Sequence, residues 1–92
     1  MTTVSSIDDS VKTDPRVYTS TIASLYGEPA LIVKLREPVP SSDVRLLIES
    51  NGARVVWLRP EPDSNDVSYL ARVQLGGGKS AYVEIRPLLE FR

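Results

Sequence analysis

Alternation of apolar and polar side chains from Val67 to Arg86 constrains this chain more than any other feature, because a period of two is the signature of a strand with one covered side. Val67, Tyr69, Ala71, Val73 and Leu75 share one side of an extended segment, and Ser68, Leu70, Arg72 and Gln74 share the other. Gly76-Gly77-Gly78-Lys79 makes a hairpin tip. The return strand sets Ala81, Val83 and Ile85 inward and Tyr82, Glu84 and Arg86 outward. Pro87 ends that ladder, and Leu88, Leu89 and Phe91 are expected to pack across an edge.

Upstream, Ala30 to Arg36 reads as a strand stopped by Pro38 and Pro40. Ser41 or Ser42 is expected to cap a short helix, with Asp43 in its first turn, where the helix dipole favours an anion. Val44, Leu47 and Ile48 form its buried stripe, and Asn51-Gly52 closes it. Arg54 to Arg59 is the next strand, followed by a PEPDSND loop.

Two segments are less determined. Residues 1–13 are rich in Ser, Thr and Asp and are expected to form a disordered acidic tail. Residues 14–27 admit two readings. Asp14 as N-cap, Pro15 at the first position and Gly27 past the end punctuate a helix, with Tyr18, Ile22, Leu25 and Tyr26 as its stripe. Val17, Tyr18, Thr19 and Ile22 suit a strand equally. The punctuation tips the reading to helix.

The expected architecture is thus one α+β domain over residues 14–92. It has two layers: a mixed four-stranded sheet with one or two short helices on one face, and a β-α-β-β-β core. The strand–helix–strand unit should be a right-handed crossover whose strands form a parallel pair. The order of elements resembles small α+β nucleic-acid-binding folds. The aromatic RNA-recognition octamer and the GXXG clamp are both missing, so no family is assigned.

Composition enters when function is asked. The chain has neither histidine nor cysteine. That removes the usual general base, the commonest metal ligand and the thiol nucleophile together. GGGKS at 76–80 lacks the earlier Gly of a phosphate loop, since Val73 stands there, and AYVEIR after it reads as strand rather than helix. Glu61, Asp63 and Asp66 lack the Gly and terminal Glu of a calcium loop. Lys34 and Lys79 are not placed to lose a proton beside a serine. No enzyme activity, cofactor, metal or small-molecule substrate is therefore expected.

The longest aliphatic run, Ala30 to Val33, is far below the roughly 20 residues a membrane span needs. The first ten residues are polar and acidic, so the expectation is a cytoplasmic protein with no membrane partner. Eight of the eleven basic residues are Arg, and Asn, Gln and Met are scarce, a bias shared by thermophile proteins and GC-rich genomes.

The formal charge of −1 argues against nonspecific coating of nucleic acid. Alternation nevertheless gathers positive charge on one side. If helices cover Leu31, Val33, Leu35, Val56, Leu58, Val73, Val83 and Ile85, the opposite side carries Ile32, Lys34, Arg36, Val55, Trp57, Arg59, Leu70, Arg72, Gln74, Tyr82, Glu84 and Arg86. That is five bases against one acid, with two aromatic residues among them. Lys34, Arg36, Trp57, Arg59, Arg72, Tyr82 and Arg86 are the candidate contact residues. Trp, Tyr and Arg dominate protein–protein hot spots, so the expected function is a small non-enzymatic interaction protein, an assembly subunit or homodimer. The alternative is a single-stranded nucleic-acid binder, which would stack bases on the rings and pair phosphates with the arginines of the same face.

Overall fold

A computed structural model describes residues 2–62 and 68–88. The chain is α+β, with a five-stranded mixed sheet and two helices: α1 (Val4–Val11), β1 (Val17–Leu25), β2 (Glu28–Leu35), α2 (Ser41–Ser50), β3 (Arg54–Pro60), β4 (Tyr69–Gln74) and β5 (Ser80–Pro87). Spatial order is β1-β2-β5-β4-β3. Among the described residues, only the β2–β5 pair is parallel; β1–β2, β5–β4 and β4–β3 are antiparallel. β2 and β3 point the same way, as the crossover requires. They are not the parallel pair expected, because β5 and β4 lie between them.

Two expectations for the N-terminal third are corrected. Residues 14–27 form a strand, the fifth of the sheet, not a helix. Asp14 does turn the chain, accepting from the Arg16 amide at 2.8 Å, but it starts a strand. Tyr26 and Gly27 both have positive φ, 53° and 76°, and close a two-residue hairpin between Leu25 and Glu28. Part of the supposed tail is also ordered. Val4, Ile7 and Val11 recur at helical spacing, Ile7 and Val11 are buried, and Thr3 and Ser6 cap α1 reciprocally at 2.9 and 3.1 Å. Asp8 is buried at the base of α1, where the Ser20 hydroxyl of β1 donates to it at 2.6 Å and the Lys12 ammonium lies 3.0 Å away. That polar pin fixes α1 onto the sheet.

α2 buries Val44, Leu47 and Ile48 as its spacing predicts. Its N-cap is Pro40 rather than a serine, and Pro has no side-chain acceptor to offer. At its end, the Asn51 amide donates to the Leu47 carbonyl at 2.6 Å. The apolar sides of both helices and of all five strands meet in one core, centred on Leu31, Val33, Val44, Val73 and Ile85. Among the described residues, no helix is long and apolar enough to cross a membrane.

The hairpin of β4 and β5 sets Arg72 opposite Tyr82 and Ala71 opposite Val83, on the sides their alternation predicts. Gly77 and Gly78, both at positive φ, form its tip. Leu88 continues the ladder, donating its amide to the Leu35 carbonyl at 2.6 Å. The expectations for Leu89, Phe91 and the acidic residues Asp63 and Asp66 fall outside the described residues.

β3 departs from simple alternation at one point. Val55 pairs with Val73 and Trp57 with Arg72, so Val56 is an extra residue. Val55 therefore turns inward at 7% exposure, while Val56 is 56% exposed. This reverses the sides expected for those two valines and leaves Trp57 and Arg59 outward, as expected.

Candidate binding face

The side of the sheet away from the helices is organised by one cross-strand row. Trp57, Arg72, Tyr82 and Ala30 stand side by side on β3, β4, β5 and β2. Directly opposite residues sit roughly 5 Å apart, so these side chains must interact. The Trp57 and Tyr82 rings meet edge to face, with centroids 6.3 Å apart at 61°. The Arg72 guanidinium lies 4.5 Å from the Tyr82 ring centre, and that of Arg59 lies 4.2 Å from Trp57. Each ring thus has a guanidinium over one face and a second ring against its flank.

The β1–β2 hairpin completes this cluster from the other edge. Tyr26 meets Tyr82 edge to face at 5.4 Å and 68°. A bulky residue at positive φ is strained; the turn that imposes the strain also delivers the ring. Two residues on, Glu28 receives both terminal nitrogens of Arg72 at 2.9 Å each, a bidentate fork. Those hydrogen bonds raise the Arg72 pKa further, so this guanidinium is a fixed charge at any working pH.

A second cluster lies further along β5. Glu84 is 7% exposed on this side and accepts from Arg86 at 3.0 and 3.1 Å. Glu61, just past β3, approaches Arg86 at 3.9 Å. Burial pushes the Glu61 carboxyl up to about 7, helped by its hydrogen bond to Glu84 and by that neighbour's negative charge, with Arg86 opposing. Lys34 is exposed and in register with Arg86. Between the clusters run Leu70 and Ile32, both half-buried, on either side of Glu84.

The seven candidate residues therefore divide. Trp57, Arg59, Arg72 and Tyr82 converge on one cluster. Arg86 and Lys34 form a neighbouring basic pair. Arg36 stands apart: it is six positions from Ala30 along β2, about 20 Å at strand rise. There it covers Tyr18 at 5.4 Å and donates to the Pro15 carbonyl at 3.2 Å. Reading from sequence missed Tyr26, Glu28 and Glu61. The signal for the first two was a Tyr-Gly pair between two β-rich runs, the pattern of a tight hairpin. Glu28 and Glu61 also alter the charge balance, because Arg72 and Arg86 are paired with carboxylates.

Among the described residues, no group of three or more acidic side chains is arranged to hold a metal ion. No protein-family model, curated protein or solved structure matches this chain.

Proposed function

We propose that this chain is a non-enzymatic interaction protein that docks a protein partner on the open sheet face, with Trp57, Tyr82 and Tyr26 as anchor and Arg59 and Lys34 as a basic rim. The observation that carries this reading is the state of the rings. Arg59 covers Trp57, Arg72 covers Tyr82, and neighbouring rings take the flanks. Such a preassembled, half-buried aromatic–arginine cluster has the composition and rigidity of a protein-binding hot spot. Half-buried Leu70 and Ile32 extend it with apolar surface.

The same geometry disfavours single-stranded nucleic acid. A base needs a free ring face to stack on, and one face each of Trp57 and Tyr82 is taken by a guanidinium, which leaves Tyr26 as the open ring. Of the cations on this face, Arg72 and Arg86 are already engaged by carboxylates, which leaves Arg59 and Lys34 for a phosphate. The matching partner surface is an apolar patch bordered by carboxylates, which Lys34 and Arg59 would meet.

The test uses wild-type chain and Trp57→Ala as paired baits in extract of the native host, followed by titration of any retained protein in purified form. The reading predicts a partner held by wild type and weakened at least tenfold by the substitution. If instead an oligonucleotide quenches Trp57 fluorescence, with affinity falling steeply as salt rises, the nucleic-acid alternative replaces it.

A further inference from the structure

Asn51 and Gly52 close α2, and this pair carries a reaction of its own. The Gly52 backbone nitrogen can attack Cγ of the Asn51 side chain and close a five-membered succinimide ring. A C–N bond forms, the Cγ–Nδ2 bond breaks, and the amide nitrogen leaves as ammonia with the Gly52 proton. Water then opens the ring. Hydrolysis at the side-chain carbonyl gives Asp; hydrolysis at the backbone carbonyl gives isoaspartate, in which the chain runs through Cγ. Glycine favours ring closure because no side chain shields its nitrogen and its backbone turns freely.

The fold holds each participant off that path. Ring closure needs Cβ and the Gly52 nitrogen eclipsed about the Asn51 Cα–C bond, and ψ of 12° keeps them apart. The Gly52 amide proton, which must leave before the nitrogen can attack, is donated to the Glu49 carbonyl at 3.1 Å. Asn51 Nδ2 donates to the Leu47 carbonyl at 2.6 Å. Two further contacts come from the N-terminal segment. The Ser10 hydroxyl of α1 donates to Asn51 Oδ1. Thr2 covers Gly52, where a Cβ would lie 3.1 Å from the threonine Oγ1. α1 in turn is held to β1 by the Ser20–Asp8 hydrogen bond at 2.6 Å.

We propose that Asn51 is a site of spontaneous deamidation guarded by α1: the amide persists while the helix is seated, and the succinimide closes when it lifts. The products do not restore the contact. Either one replaces a donor with a carboxylate, so the Leu47 carbonyl loses its partner. Either one also sets a negative charge at the C-terminal end of α2, where the helix dipole disfavours it. The reaction thus weakens the turn on which α1 rests, and lifting of α1 becomes one-way. None of this depends on the Trp57 cluster.

The experiment follows the full chain in mildly alkaline buffer by intact mass, with peptide mapping to separate Asn51 from Asn65 and to detect isoaspartate. The urea-unfolded chain supplies the unguarded rate. Native wild type should convert at least about tenfold more slowly. Ser20→Ala removes the pin of α1, and Ser10→Ala removes its contact with Asn51. Each should convert roughly tenfold faster than native wild type, the effect of one lost hydrogen bond on local opening. Circular dichroism checks that both are folded. Hydrogen exchange of Asn51→Asp reads the product: α1 amides should exchange faster than in wild type, and those of β4 and β5 at the same rate. Equal conversion of native and unfolded wild type overturns the proposal. A folded Ser20→Ala chain that converts no faster than wild type does so too. Should Ser20→Ala fail to fold, Ser10→Ala decides in the same way, since Ser10 is exposed and outside the core. An Asn51→Asp chain with α1 as protected as in wild type overturns the one-way consequence.

Discussion

Arg72 is clamped between Tyr82, whose ring centre lies 4.5 Å from the guanidinium, and the Glu28 carboxylate, which takes both terminal nitrogens at 2.9 Å. These two contacts use different properties of the same planar group, its face and its edge. Lysine cannot supply both. Arg72→Lys should therefore weaken partner binding nearly as much as Arg72→Ala while the fold persists. Titration of both variants beside circular dichroism checks this; a fully active Arg72→Lys would show that only the charge matters.

Trp57 is half-buried on the open side rather than packed beneath a helix. Trp57→Ala should cost about 1–2 kcal/mol of stability, well short of a buried aromatic deletion. Urea unfolding measures it. A loss of 4 kcal/mol or more would mean that the ring belongs to the core.

Tyr26 sits at φ 53° to bring its ring to Tyr82. Asn tolerates that conformation better, so Tyr26→Asn should relieve strain of roughly 1 kcal/mol and offset part of the lost ring contact. Stability should stay near that of wild type while partner affinity falls. Melting curves and binding isotherms on one sample separate the two effects.

Glu61 makes stability depend on pH. Its carboxyl ionises near 4.5 in the unfolded chain and near 7 when folded. Between those values only the folded form keeps the proton. The contribution is complete below about 4.5 and is lost as pH rises through about 7. Solvent reaches this group, so the effect should be on the order of 1 kcal/mol. Glu61→Gln should flatten stability across that window. Asp8 acts in the opposite sense. Burial pushes its pKa up, but the Ser20 hydroxyl and the Lys12 ammonium outweigh that and hold it below 3.8. Its contribution is present above that value and fades as pH falls. Ser20→Ala should cost about 1–2 kcal/mol at neutral pH by removing the donor to a buried carboxylate.

What the sequence made legible follows from how local each signal is. β4, β5 and α2 announce themselves through uninterrupted periods of two and 3.6, and these set the sides of Arg72, Tyr82, Val44 and Leu47. β1 was hidden because Asp14, Pro15 and Gly27 punctuate a hairpin strand with the residues that also punctuate a helix. α1 was hidden because only Val4, Ile7 and Val11 mark it among many polar residues. The contact of Glu28 with Arg72 spans 44 positions and exists only once β2 and β4 flank β5. No local pattern carries that adjacency. Alternation therefore set Trp57, Arg59, Arg72 and Tyr82 on one side of the sheet, where the strands place them, but gave no sign of the acids beside them.

Position 56 holds one residue more than the pairing of β3 with β4 consumes. Excising it would leave Val55 opposite Val73 and Trp57 opposite Arg72, with the strand now in plain alternation. Chain length at this spot is thus uncoupled from the direction the indole points. A single-codon deletion there would pass unnoticed by the binding surface, whereas the same deletion at Leu58 would carry Arg59 into the interior.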